Sequence, residues 1–226
     1  MAVFAAFCTN ASAELIFESD FAGEVSPQWT NNTISVSPSG QRFLGTFGNT
    51  GVQLNLTGLP EHSEVRVIYD LYIIGTWDGN NPNPNAGPDI FSFGISGDVP
   101  IINSTFVQWR GSLPFGQSWP GTFPLENNPT RTAASEINTL GYTSRFWDGG
   151  GDTTYSVDTT FSHASTSLSL NFEAELKDSF PPNEVWGIDN IRVFAIPEPS
   201  SLLLLVFFGH ALALRRQSAA SLEYIG

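Results

Sequence analysis

The chain has 226 residues, 41% of them hydrophobic, and a formal net charge of −13 from 22 acidic against 9 basic side chains. Such a charge repels nucleic acid and anionic lipid and attracts cations, calcium included. Residues 14–195 make one ordinary domain by length, and Cys8, the sole cysteine, lies outside it, so no disulfide stabilises the domain.

Residues 1–13 read as the back half of a secretory signal. Ala2 to Phe7 is an apolar stub, and Ala11-Ser12-Ala13 is a small-x-small cleavage site. A basic segment ahead of the stub is missing, so the true start is expected upstream of Met1. Phe7 before Cys8 is too large for a lipoprotein processing site.

The domain then reads as strands. Val52, Leu54 and Leu56 alternate with Gln53, Asn55 and Thr57, the period-2 pattern of a half-buried strand. Val65, Val67, Tyr69, Leu71 and Ile73 line one face of the next strand, and Asp89 to Ile95 resumes after a long loop. Tyr155, Val157, Thr159 and Phe161 alternate with polar residues. So do Leu168, Leu170, Phe172, Ala174 and Leu176, and Trp186 to Phe194 closes the set. Turn residues fall between these runs at Ser39-Gly40, Gly58-Leu59-Pro60, Gly79 to Pro82 and Gly149-Gly150-Gly151. Many short antiparallel strands without a helical stripe predict an all-β fold, a two-sheet antiparallel β-sandwich of jelly-roll type. A hydrophobic helix is expected only at the C-terminus.

Phe17-Glu18-Ser19-Asp20-Phe21 at the start and Trp186-Gly187-Ile188-Asp189-Asn190-Ile191-Arg192-Val193 at the end resemble the two ends of bacterial extracellular jelly rolls. These are the concanavalin-like and carbohydrate-binding-module-like domains. The resemblance implies a structural Ca2+ held where first and last strands meet, with Glu18, Asp20 and Asp189 as its carboxylates. Glu18 and Asp20, two apart on a strand, project from one face. Asp189, in phase with Ile191 and Val193, is expected to turn inward, where a carboxylate must be paired or metal-bound. The alternative keeps Glu18 and Asp20 solvated and Asp189 capping a turn or pairing with Arg192.

The loop from Thr76 to Asp89 is too long for a tight hairpin and begins with Trp77-Asp78. Trp147-Asp148-Gly149 opens the glycine-rich loop in the same way. Trp77 and Trp147 could stack on sugar rings while Asp78, Asp89 and Asp148 accept hydroxyl hydrogens; the alternative folds both indoles inward as core plugs. The face Arg66, Ile68, Asp70, Tyr72 and Ile74 mixes polar and apolar groups and would make a shallow ligand groove. Catalytic signals are thin. The domain's histidines are His62 beside a turn and His163 in a polar hairpin, and Glu173 and Glu175 sit on the polar side of their strand. No nucleophile elbow, zinc helix or phosphate loop is present.

After the domain, Ile196-Pro197-Glu198-Pro199-Ser200 leads into the apolar run Leu202 to Leu214 and then Arg215-Arg216. About fifteen positions as a helix rise roughly 22 Å, short of the ~30 Å bilayer core, and the arginines supply a cytoplasmic stop. This order resembles the PEP-CTERM sorting signal of Gram-negative bacteria. The resemblance implies export, a transient inner-membrane anchor over 196–216, and processing near Pro197, Glu198 and Pro199 by an exosortase-type protease. Residues 217–226 depart from the family, whose members usually end soon after the arginines, and are expected to form a short cytoplasmic tail. The whole chain is thus expected to be an exported, non-enzymatic surface or matrix protein that binds an extracellular polysaccharide. The alternatives are a structural or adhesive coat protein with no small ligand, or a glycoside-active enzyme.

Overall fold

The computed structural model describes residues 12–108, 115–143, 151–177 and 183–198. Trp147, Asp148, Pro199, Arg215, Arg216, the predicted C-terminal helix and most of the signal remnant lie outside these residues. Among the described residues no helix is long and apolar enough to cross a membrane.

Eleven strands are described, and they form two antiparallel sheets, as the alternating sequence patterns predict. The larger sheet has the order β2 (Ile34–Val36), β3 (Arg42–Phe47), β11 (Glu184–Ile196), β5 (Glu64–Gly75), β9 (Asp152–Ser162) and β8 (Glu136–Ile137). The opening strand β1 (Glu14–Ser19) also pairs with β11. The smaller sheet runs β4 (Val52–Thr57), β10 (Ser167–Glu175), β6 (Ile90–Ile95) and β7 (Ile102–Thr105).

The core lies between the sheets and is built by the predicted faces. Val65, Val67, Tyr69, Leu71 and Ile73 of β5 meet Leu54, Phe93, Leu170 and Phe172 of the smaller sheet. Tyr69 packs edge-on to Phe172 with ring centroids 5.3 Å apart, a favoured aromatic geometry. On the smaller sheet's other side Glu173 and Glu175 are exposed, as the polar alternation of β10 predicts.

Strand β11 organises the larger sheet. One edge pairs with β5 along nearly its whole length. The other edge serves β3 over Trp186 to Ile188 and then β1 over Ile191 to Ala195. Between the two stretches the register slips, with the shift falling between Asp189 and Arg192, and Asn190 takes φ 50°. Asparagine tolerates this left-handed conformation better than most side chains. The bulge corrects the expected phase of Asp189. Ile188 and Ile191 both reach the core, but Asp189 stands opposite Asp70 and faces the other side of the sheet.

That other side has its own small apolar cluster, Phe43, Tyr72, Ile74 and Leu140. The close approach of β3 to β11 beneath it requires glycine. A Cβ on Gly187 would lie 2.5 Å from the Phe43 ring. The long segment after β7 is held by two buried glutamines. Gln117 accepts hydrogen bonds from Val107 N, Arg131 N and the Tyr155 hydroxyl, and Gln108 donates to Ile73 O and accepts from Arg131 and Thr153.

Candidate functional site

The outer face of the larger sheet carries a groove of about 830 Å³. Its floor is Ile68 and Asp70 of β5, Ser156 of β9 and Asn190 to Arg192 of β11; its rim is Glu18 and Ser19 of β1 with Asp20, Gly23 and Glu24 just after it. The alternation of β5 and β9 aims these side chains away from the core, and the bulge lifts Asn190 into the floor. A second cavity of about 290 Å³ shares Asp70, Ser156 and Asn190 with the first and extends past Gln41 and Tyr72 towards Glu136.

Asp70 sits where the two cavities meet. Its carboxylate accepts the Ser156 hydroxyl at 2.7 Å and the Asn190 side-chain amide at 2.8 Å. Directly across, Asp189 is fully buried and accepts from Gln41 Nε2 at 2.6 Å, Tyr72 Oη at 2.9 Å and Asn190 N at 2.8 Å. Burial raises the Asp189 carboxyl above the usual carboxylate range despite these bonds. Burial, with the Asp189 charge adding to it, also holds the Tyr72 phenol well above its ordinary value. Of the lining groups, Glu18, Asp20, Glu24 and Asp70 are acidic and Arg192 is basic, so the groove's field is negative.

The calcium set expected from the chain ends is not assembled. Glu18 and Asp20 reach the groove rim, where Asp20 accepts Ala22 N at 3.0 Å, whereas Asp189 is buried on the far side of the bulge with its oxygens already bonded. Among the described residues, the acidic trio whose oxygens all lie within 4.8 Å of one another is Asp78, Asp89 and Glu184. This trio is tied into the protein. Asp89 accepts Asp78 N and Lys177 N, and Glu184 accepts the Thr76 hydroxyl.

The loop opened by Trp77 also differs from the sugar-stacking expectation. Trp77 is 0% exposed, packs against Phe106 and donates its indole hydrogen to Val185 O at 3.1 Å. An indole so enclosed has no face to offer a sugar and serves as a core plug. Asp89 is equally buried and Asp78 half-buried, so they staple the loop rather than line a binding surface. Further along, Asn80 anchors the loop, its backbone N–H bonding Gly116 O and its side chain Glu126 O.

Sequence reasoning put Asp70 on a groove face but did not single out Ser156, Asn190 or Glu24. The period-2 polar positions of β5 and β9 carry that signal for Ser156. Asn190 has none beyond a residue type that tolerates positive φ, because a bulge is set by partner strands.

Fold and groove together define a two-sheet β-sandwich with a polar, acidic surface cleft. Among solved structures the chain is similar to the CBM22-1 xylan-binding domain from Paenibacillus barcinonensis Xyn10C, at 10% identity over 84% of this chain and 100% of that one, TM-score 0.38. It is also similar to the carbohydrate-binding module CBM6cm-2 from Cellvibrio mixtus lichenase 5A, at 14% identity over 79% and 96%, TM-score 0.34. A third likeness is to the exo-beta-1,3-galactanase Pc1,3Gal43A from Phanerochaete chrysosporium, at 15% identity over 81% of this chain and 29% of that one, TM-score 0.33. No protein-family model and no curated protein sequence matches the chain.

Proposed function

We propose that this chain is an exported, non-catalytic binding protein that takes an uncharged polysaccharide on the outer face of its larger sheet. The observation that carries the reading is the groove floored by Asp70, Ser156 and Asn190. Carboxylate, hydroxyl, amide and guanidinium groups there offer both acceptors and donors, the complement of a polyhydroxylated ligand. The acidic balance disfavours uronate-rich or sulfated chains, since like charges across a desolvated contact cost affinity. Export and sorting rest on the sequence: the Ala11-Ser12-Ala13 site, and the Pro197-Glu198-Pro199 motif with Arg215-Arg216 as substrate for an exosortase-type protease. Pro197 follows directly on the end of β11.

The test is a pull-down of the full chain on insoluble and immobilised polysaccharides, run with calcium and with chelator because Glu18 and Asp20 on the rim are hard-oxygen donors. Saturable binding to a neutral class, weakened by Asp70→Ala, supports the proposal. Absence of binding from a folded protein overturns it in favour of a structural coat role.

A further inference from the structure

His62 and His163 lie 101 residues apart in sequence and meet at the end of the sandwich where β11 runs out. Three contacts connect them in line. His62 Nδ1 stands 2.6 Å from Pro60 O, His62 Nε2 stands 2.8 Å from His163 Nδ1, and His163 Nε2 stands 3.2 Å from Ser167 O. The ring centroids are 5.1 Å apart and the planes differ by 20°. That separation is the N···N distance plus one ring radius at each end, so the rings meet head to head in nearly one plane. This is the geometry of an N–H···N hydrogen bond.

Proton counting then decides the charge. A carbonyl oxygen only accepts, so each outer contact needs its hydrogen from a ring nitrogen, and the central contact needs one more. Three hydrogens are required, whereas two neutral imidazoles carry one each. We propose that His62 and His163 share a single positive charge as an imidazole–imidazolium pair, and that this charge clips the β4–β5 turn to the β9–β10 turn.

The surroundings fit a clip. His163 N bonds Ser63 O at 3.0 Å, Ser63 N bonds Ile196 O at 3.0 Å, and Leu59 N bonds Thr166 O at 3.0 Å. The two turns and the last residue before Pro197 are thereby held together. Other ionisable groups on these segments are Glu61 and Glu64 beside His62 and Glu198 after β11, while the stretch 162–167 has none besides His163. All three are acids, so no basic group on these segments opposes one positive charge. Burial, and then the neighbouring His62, hold the His163 imidazole below the ordinary histidine range, so charge on that ring is resisted and the three contacts alone favour the shared proton. Losing the shared proton leaves two hydrogens for three contacts, so one of the three is given up, and gaining another sets two cations head to head. Either change loosens this end of the sandwich.

The experiment follows imidazole 15N chemical shifts of the full chain against pH, with His62→Gln and His163→Gln assigning the signals. At about pH 7.5, a unit above the ordinary imidazole value, the expected result is three ring protons on the pair, and a neutral His62 in the His163→Gln variant. Thermal denaturation should show the wild-type midpoint falling on both the acid and the alkaline side, with both inflections lost in His163→Gln. One proton on each ring at pH 7.5, or two independent titrations near the ordinary value, overturns the proposal. The wild-type titration alone decides it if the variants do not fold.

Discussion

Tyr72 donates its phenolic hydrogen to the buried Asp189 carboxylate at 2.9 Å, joining the two central strands of the larger sheet beside the groove. Tyr72→Phe removes that donor and leaves the carboxylate with Gln41 and Asn190. The expected cost is about 1–3 kcal/mol in urea denaturation, the range for weakening a buried charged group's solvation by the protein. The pH dependence has a definite sign. Burial raises the folded Asp189 carboxyl above its unfolded value, so its contribution favours the fold at low pH and is lost as pH rises through the folded pKa. Asp189→Asn should remove this limb from a stability profile against pH.

Trp77→Ala should destabilise the fold by about 3–5 kcal/mol through the cavity it leaves. At temperatures where the variant stays folded, its saccharide binding should equal that of the parent. Calorimetric melting and binding isotherms on one preparation separate the two effects, and selective loss of binding would contradict the core-plug role.

Asp70 and Asn190 are expected to carry binding. Asp70→Ala should weaken saccharide affinity by about tenfold or more, the size of one hydrogen bond to a charged group. Glu173→Gln, on the exposed face of the other sheet, makes the matched control and should leave affinity unchanged.

Arg66 and Asp158 form an exposed pair, with Nε to Oδ1 at 2.8 Å. The guanidinium, chiefly through its hydrogen bond, holds the Asp158 carboxyl below the usual range. Stability from this pair is present above the unfolded carboxylate value and disappears as pH falls through the folded one. Arg66→Ala should return the Asp158 pKa, read by NMR, to the ordinary range. Water and salt screen the pair, so the fall in the neutral-pH denaturation midpoint should be small.

Gly75 ends β5 at φ 97°, and a Cβ there would lie 1.6 Å from Asn183 O. Backbone cannot yield as a flexible side chain does, so Gly75→Ala should lower the melting temperature. Gly58→Ala, also at positive φ but with nothing near its Cβ, should cost less and report the conformational part alone.

Strand identity and strand face are legible in the chain itself. β4, β5, β9 and β10 each follow an alternation that sorts core from surface, because successive side chains on a strand point to opposite faces whatever its partners are. The same alternation marks Asp70 as a groove residue and leaves Glu173 and Glu175 solvated. It fails at Asp189, where one extra residue in β11 reverses the phase between the stretch paired with β3 and the stretch paired with β1. At Trp77, a loop position that alternation does not reach, the core-plug alternative holds, and the indole finds Val185 O and a place in the core.

Composition, charge, export motifs and strand periodicity are written along the chain, since each depends on residues within a few positions of one another. Where side chains from distant strands meet is decided in three dimensions. The Asp70–Ser156–Asn190 floor, the Tyr72–Asp189 bond and the His62–His163 pair all rest on strand order and register. Those come from packing two sheets face to face, and no run of neighbouring residues contains them.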